Sequence, residues 1–503
     1  MTLTFLAATQ PVTYTAGQAF SDLAQIAPIA AVAVALVVAV VADLLLPSRL
    51  RGQVVMAIAA LGLVIAFGFA LARWLQGGGQ SAYFGFVTGD NFALFFEMLF
   101  AVLGLMTLAV AHAYVRRREL PEAELHVLTL AALIGMMSLA AATSLVTVFL
   151  ALETLSLALY VSCGYTRRET TAQEAAAKYL LIGGFASAFL LYGMALVYGA
   201  SGSTLLSDIS KAVTSSQASN PILILGVLML GVGFGFKISG APFHQWTPDV
   251  YQGAPLPVTA FMSVGTKAAA FAMIIRVFGF GLGNLSGEWQ VVLAFIAVLS
   301  MIVGNLGAIV QSSVKRLLAY SGIAQGGYML VGVIAGGRDG VAAVLFYLAA
   351  YVFMNFGAFA VLTALVDRDR EHDNVKDLTG LGYRQQLLGI LMTVFMLSLA
   401  GFPPLVGFIG KFFLFRAAVA SGWTWLVVIA VLASVVSVAY YLRVVYYVWT
   451  PGAEEERQLA RERGAFTSVL ISGALALILG IFPTLILVAG LTGAGPVLLA
   501  AGR

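Results

Sequence analysis

The sequence predicts an all-α polytopic membrane protein of about fourteen transmembrane helices, in two inverted five-helix repeats with broken seventh and twelfth helices. Three observations point there. Hydrophobic residues make up 61% of the 503 and charged residues only 10%, against roughly 25% charged in a soluble domain. Apolar runs of the roughly 20 residues needed to cross a hydrocarbon core of about 30 Å recur along nearly the whole chain. Two of those runs are interrupted by proline-containing segments, where the backbone loses an amide donor and the ring clashes with the preceding turn.

Taken in order, the runs predict spans at 23–46, 53–75, 91–115, 124–142, 144–163, 173–200, 221–249 and 255–280. Six more follow at 290–311, 316–335, 340–366, 386–420, 422–449 and 465–490. The N-terminus has no basic segment before its first apolar stretch, and Asp22 is the first charged residue, so that stretch reads as a retained helix and not a cleaved signal.

The interruptions are Ser239-Gly240-Ala241-Pro242 in the seventh span and Gly401-Phe402-Pro403-Pro404 in the twelfth. Counted in units of five, they fall at the fourth place of helices four to eight and of helices nine to thirteen. A repeat with an odd number of helices is inverted in the membrane, and discontinuous helices mark ion sites in many transporters. This divides the chain into a three-helix segment (1–120), two repeats (121–285 and 286–450) and a last helix (451–503). Simple proline kinks without a repeat are the competing reading.

A formal charge of +4 and a pI near 9.0 do not point to nucleic acid, because the basic residues fall in short loops between apolar runs. Arg49 and Arg51, Arg116 to Arg118, Arg167 and Arg168, and Lys315 and Arg316 lie in odd-numbered loops or their flanks. So do Arg368, Arg370, Lys376 and Arg384, and then Arg457, Arg461 and Arg463, whereas even loops hold scattered residues such as Arg73, Lys211 and Arg338. Cytoplasmic loops are the ones enriched in Lys and Arg. The expectation is a bacterial inner membrane with both termini periplasmic. The lone Cys163 and the dispersed His112, His126, His244 and His372 suggest neither a disulfide scaffold nor a local metal motif.

An ionisable residue at the bilayer centre costs about 2.5–3.5 kcal/mol on insertion scales, which makes each one a functional candidate. Glu153 stands alone in the fifth span, Lys237 lies five residues before Pro242, Lys267 is central in the eighth span, and Lys411 follows the second break. Burial lowers a lysine's proton affinity and a neighbouring carboxylate restores it, so Glu153 is expected to tune Lys237. Three lysines and one glutamate on separate helices read as stations of a proton relay; static interhelical pairs are the alternative. Lys178, near the end of the sixth span, and His244, after the first break, are supporting candidates, with snorkelling and a structural histidine as their alternatives. Glu97 is ambiguous in the same way. Lys315 and Arg316 read as interfacial anchors, and Gly231-Val232-Gly233-Phe234-Gly235 as close helix packing.

The stretch from Lys237 through Pro242-Phe243-His244-Gln245-Trp246-Thr247-Pro248-Asp249 to Gly253-Ala254-Pro255-Leu256-Pro257-Val258-Thr259-Ala260 resembles the core signature of the antiporter-like subunits of respiratory complex I. Further marks follow in order: Lys315-Arg316-Leu317-Leu318-Ala319-Tyr320-Ser321-Gly322-Ile323-Ala324-Gln325, then Leu397-Ser398-Leu399-Ala400-Gly401-Phe402-Pro403-Pro404. The similarity covers roughly residues 90 to 450. Within that family the chain looks most like the N subunits of the proton-pumping NADH:quinone oxidoreductase. Its length, the lack of a long lateral C-terminal extension, lysine at 411 where M subunits carry glutamate, and the stretch from Lys178-Tyr179-Leu180-Leu181 through Gly193-Met194-Ala195-Leu196-Val197-Tyr198 point there.

The resemblance implies a proton path through Glu153, Lys237, Lys267 and Lys411, with Lys178 supporting. It also implies a translocase subunit without a cofactor of its own, the FMN, iron–sulfur clusters and quinone lying elsewhere in the complex. Its implied partners are an M-type antiporter-like subunit, the small A, J and K subunits, and lipid. Gln325 stands where many relatives have histidine, and glutamine does not titrate, which weakens a proton role there. A secondary cation/proton antiporter subunit is the alternative function and a purely structural subunit a third. No nucleophile–base constellation supports a substrate enzyme.

Overall fold

In lipid every backbone amide must find its partner inside its own segment, so the apolar runs become helices. The structure, a computed structural model, describes residues 15–217, 219–368, 371–451 and 463–499. Among them, 12 helices are long and apolar enough to cross a membrane. Arg370, Arg457 and Arg461 lie outside the described residues.

The described residues open with α1 (Ala16–Gln25), started by a Thr15–Gln18 capping box, and α2 (Ala27–Leu45), which holds Pro28 in its first turn. The expected first span is therefore two helices with their junction at Ile26. Next come α3 (Ser48–Leu75) and a short antiparallel hairpin of β1 (Ser81–Ala82) and β2 (Val87–Thr88) that the apolar pattern does not signal. Then follow α4 (Asn91–Arg117), α5 (Ala123–Ala141), α6 (Leu145–Cys163), α7 (Thr170–Ser201) and the short α8 (Leu206–Ala212).

Both expected interruptions are present. Helix α9 (Pro221–Lys237) stops, the chain turns through Ser239 (φ 63°) and a cis Ala241–Pro242 bond, and α10 (Trp246–Gly253) resumes. After α11 (Leu256–Ile274), which ends in a π-helical turn (Ile275–Gly281), come α12 (Ser286–Ile309), α13 (Val314–Ala335), α14 (Gly337–Ala364) and the single turn α15 (Leu381–Arg384). The second interruption separates α16 (Gln386–Ala400) from α17 (Val406–Ala420), with Gly401 at φ 94° and a cis Pro403–Pro404 bond. The chain closes with α18 (Thr424–Trp449), α19 (Arg463–Ile481) and α20 (Thr484–Leu499). The expected last span is thus also two helices, divided at Pro483 by the same loss of an amide donor.

Two helices form the core. Every residue of α11 is buried, as is every residue of α14 from Gly340 to Thr363. Helix α14 packs against α4, α11, α13, α16, α17, α19 and α20. Outer helices leave large side chains such as Leu44, Leu61, Leu181 and Phe185 exposed, as a lipid-facing surface requires. The glycine-rich stretch of α9 does serve packing: a Cβ on Gly233 would come within 2.7 Å of the Leu190 Cβ on α7.

Candidate functional site

A helix that stops inside the membrane leaves its last carbonyls without intrahelical donors, and the negative end of its dipole favours a cation. Both broken helices present such an end to a lysine. At the first, Lys267 on α11, wholly buried, donates to the Ile238 carbonyl at 3.1 Å, immediately after the last residue of α9. At the second, Lys411 on α17 donates to the carbonyls of Leu399 and Ala400, each at 3.1 Å, and to Ser434 Oγ on α18 at 2.9 Å. Its ammonium also lies 4.8 Å from the centre of the Tyr328 ring. Lys411 is only 4% exposed, so it does not snorkel.

Lys237 is the last residue of α9. Its Nζ donates to Ser156 Oγ on α6 at 2.7 Å, and Ser156 donates onward to the Leu152 carbonyl at 2.5 Å. The rings of Phe236, Tyr160 and Tyr179 surround the ammonium at 5.5, 5.9 and 6.0 Å, a cation–π setting that helps hold a charge away from water. Glu153 lies one turn before Ser156, with Oε1 buried and unpartnered. Among the described residues, the side chain that meets the Lys237 ammonium directly is Ser156.

Between Lys267 and Lys411 runs a set of buried polar groups. Gly322 lies against the Lys267 chain, where a Cβ would be 3.3 Å from Cε. The neighbouring Ser321 hydroxyl meets Tyr441 OH at 2.5 Å. Gln325 Nε2 donates to Tyr441 OH and to the Leu399 carbonyl, both at 3.1 Å, while its Oε1 accepts from Tyr347 OH at 2.5 Å. Gln325 therefore ties Tyr347 and Tyr441 to the second break, a place its lack of a titrating proton does not reveal. Ser156, Ser434, Tyr347 and Tyr441 were missed as well. Their one sequence signal is a hydroxyl inside an apolar run, which is too common in membrane helices to select them.

Lys178 is at the rim. Its side chain is 39% exposed and pairs with Glu174 at 2.7 Å and Asp249 at 2.8 Å, while Asp249 also accepts from Arg316 at 2.7 Å. Lys315 is not an interfacial anchor: it is 2% exposed and donates to Glu371 and to the Ala254 carbonyl, each at 2.7 Å. Glu371 accepts in addition from Tyr114 OH at 2.7 Å and from the Leu256 amide at 3.2 Å. Glu174, Lys178, Asp249, Lys315 and Glu371 line a cleft of about 470 Å³. His244, two residues after Pro242, is half-buried beside Tyr320, its Nδ1 unpartnered. Among the described residues no group of three His, Cys, Asp or Glu side chains is placed to hold a metal ion.

Broken helices whose free carbonyls hold buried lysines, joined through a polar interior, define an antiporter-type membrane subunit. Comparison with known proteins agrees: the chain belongs to the NADH:quinone oxidoreductase/Mrp antiporter transmembrane family, whose model matches residues 142–437. It is 44% identical over 447 residues to NADH-quinone oxidoreductase subunit N of Trichlorobacter lovleyi, covering 88% of this chain and 91% of the relative. Among solved structures, a chain of respiratory complex I from Thermus thermophilus with bound aureothin superposes with a TM-score of 0.79 at 37% identity, covering 92% of this chain and 98% of that one. A chain of the Mrp complex from Dietzia sp. shares the fold, with a TM-score of 0.82 at 21% identity, covering 94% and 97%.

Proposed function

We propose that this chain is the N-type proton-translocating subunit of an NADH:quinone oxidoreductase, and that its buried Glu and Lys residues carry protons across the membrane as quinone is reduced elsewhere in the complex. The similarity to subunit N relatives supports the family assignment. The observation that carries the mechanism is the pairing of Lys267 with the Ile238 carbonyl and of Lys411 with the Leu399 and Ala400 carbonyls. Each amine is held by neutral acceptors, so gaining or losing a proton breaks no ion pair. In this reading Lys237 takes a proton from the arginine-rich side, under the influence of Glu153 and with Lys178 at the mouth. Lys267 passes it laterally through the groups around Gln325, and Lys411 releases it on the opposite side. His244 supports transfer at the first break.

The same reading makes each broken helix one crossing, giving fourteen crossings in two inverted repeats (121–285 and 286–450) flanked by 1–120 and 451–503. The arginine-rich loops are then cytoplasmic and both termini periplasmic, in a bacterial inner membrane. An M-type subunit and the small A, J and K subunits are the membrane partners, and FMN, iron–sulfur clusters and quinone belong to other chains.

The test is to tag the chain, extract it in mild detergent, identify what accompanies it by mass spectrometry and assay NADH-driven quinone reduction. Recovery with an active dehydrogenase supports the proposal. Recovery with antiporter partners alone, and no NADH oxidation, transfers the chain to the gradient-driven antiporters.

A further inference from the structure

One buried acid has no place in the lysine row. Glu97, on α4, is 1% exposed, and among the described residues no donor meets either of its carboxyl oxygens. It is the seventh residue of a helix that begins at Asn91, so at 1.5 Å per residue it lies about 9 Å inside the end opposite the arginine-rich loops. An ionised carboxylate so placed carries a desolvation penalty of several kcal/mol, and the form that needs no donor is the protonated acid.

The charges acting on Glu97 are Asp90, Arg276 and Arg73. Asp90 caps α4 by accepting from the Ala93 amide at 2.9 Å, and Arg276 grips it with two nitrogens, at 2.8 and 3.1 Å. Arg276 is 2% exposed, donates also to the Ala140 carbonyl at 2.5 Å, and stacks 4.7 Å from the Phe92 ring. Arg73 reaches the Ala24 carbonyl at 2.5 Å and Gln25 Oε1 at 2.7 Å, its Nε buried without a partner. Two arginines against one aspartate leave this cluster at +1 while Glu97 is neutral, and ionisation of Glu97 brings it to zero. Arg276 belongs to the π-helical turn that ends α11, the helix that carries Lys267, and such turns occur often at functional sites.

We propose that Glu97, with Asp90, Arg276 and Arg73, is a proton-holding and proton-release station on the outward side of the first repeat. This rests on the translocation reading above. On release the Glu97 O–H bond breaks, the proton passes to water outside, and the carboxylate left behind faces the two arginines. A proton arriving from the relay reforms the O–H bond.

The experiment uses the whole complex in proteoliposomes, measuring protons pumped per NADH and the infrared difference spectrum on turnover. Glu97→Gln is expected to lower the proton yield and to remove a protonated-carboxyl band, and Glu97→Asp to restore the yield with the band shifted. A wild-type yield in Glu97→Gln overturns the proposal. If that variant fails to assemble, an unshifted band in Glu97→Asp overturns it instead. Lys267→Ala, run alongside, separates the two ideas. An unchanged yield in that variant removes the translocation reading itself, whereas a lowered yield there with a normal one in Glu97→Gln removes only the release station.

Discussion

Lys411 and Gln325 share one acceptor, the Leu399 carbonyl, to which each donates at 3.1 Å. That carbonyl is available because α16 ends one residue later, at Ala400, and Gly401 turns the chain away. The amide of Gln325 and the amine of Lys411 are thereby held at one point where, among the described residues, no ion pair forms.

Gln325→Leu is expected to orphan buried partners, since Gln325 contacts Leu399, Tyr441 and Tyr347. Each buried group left unsatisfied costs about 1–3 kcal/mol. Thermal unfolding of the purified complex should shift downward and the proton yield should fall. Gln325→His, which keeps a donor and an acceptor, should recover most of both.

Lys237→Ala should remove most NADH-driven pumping while the complex still assembles. Ser156→Ala takes away the hydroxyl that accepts from Lys237 and should give a partial loss of the same kind. Acidification measurements on vesicles decide it, and normal pumping in both variants would falsify the role given to Lys237.

Gly401→Ala places a side chain at φ 94°, where a left-handed backbone costs a non-glycine residue roughly 1–2 kcal/mol. The new Cβ would also lie 3.3 Å from Lys411 Cδ. Lower thermal stability with reduced pumping is expected, whereas Gly77→Ala, also at positive φ but with nothing near its Cβ, should affect stability alone.

Glu371→Ala leaves Lys315 buried without its carboxylate. Removing one partner of a buried pair costs about 3–5 kcal/mol, so the yield of assembled complex should drop. Glu371→Gln keeps acceptors for Tyr114 and the Leu256 amide and should be intermediate. Equal yields of all three proteins would show that the pair contributes little.

Acid should loosen the loop between α4 and α5 through Glu122. Burial alone would raise its carboxyl, but hydrogen bonds from His126 and His112 outweigh that and hold it below the usual carboxylate range. A group depressed on folding contributes stability at pH values above its unfolded pKa, about 4.5, and loses that contribution as pH falls through the lower folded value. Melting curves of wild type and Glu122→Gln should therefore differ at neutral pH and converge below the carboxylate range.

The two broken helices and the three buried lysines were legible in the sequence because their signals are local: a proline, or a lysine, inside an apolar run. What holds each charge was not. Glu371 sits in a polar loop 56 residues after Lys315, and only the fold brings them to 2.7 Å. Lys315 therefore looked like an interfacial residue. Ser156 and Gln325 carry no charge to draw notice, and their importance comes from what faces them. Pro483 was as visible as Pro242, yet the apolar run around it read as one span because only Thr484 accompanies the lone proline. The π-helical turn at Arg276 has no periodic signature over its seven residues.

Helix α14 is long and apolar enough to cross a membrane, although from Gly340 to Thr363 none of its residues is exposed. Membrane helices insert individually before they associate, so this segment has to be stable in lipid during biogenesis and gives up that contact when the bundle closes. Its hydrophobicity records a passage through the insertion machinery more than its final surroundings. Polar substitutions along α14 should therefore be penalised twice, at membrane insertion and again at packing, whereas those on a peripheral helix face the first filter alone.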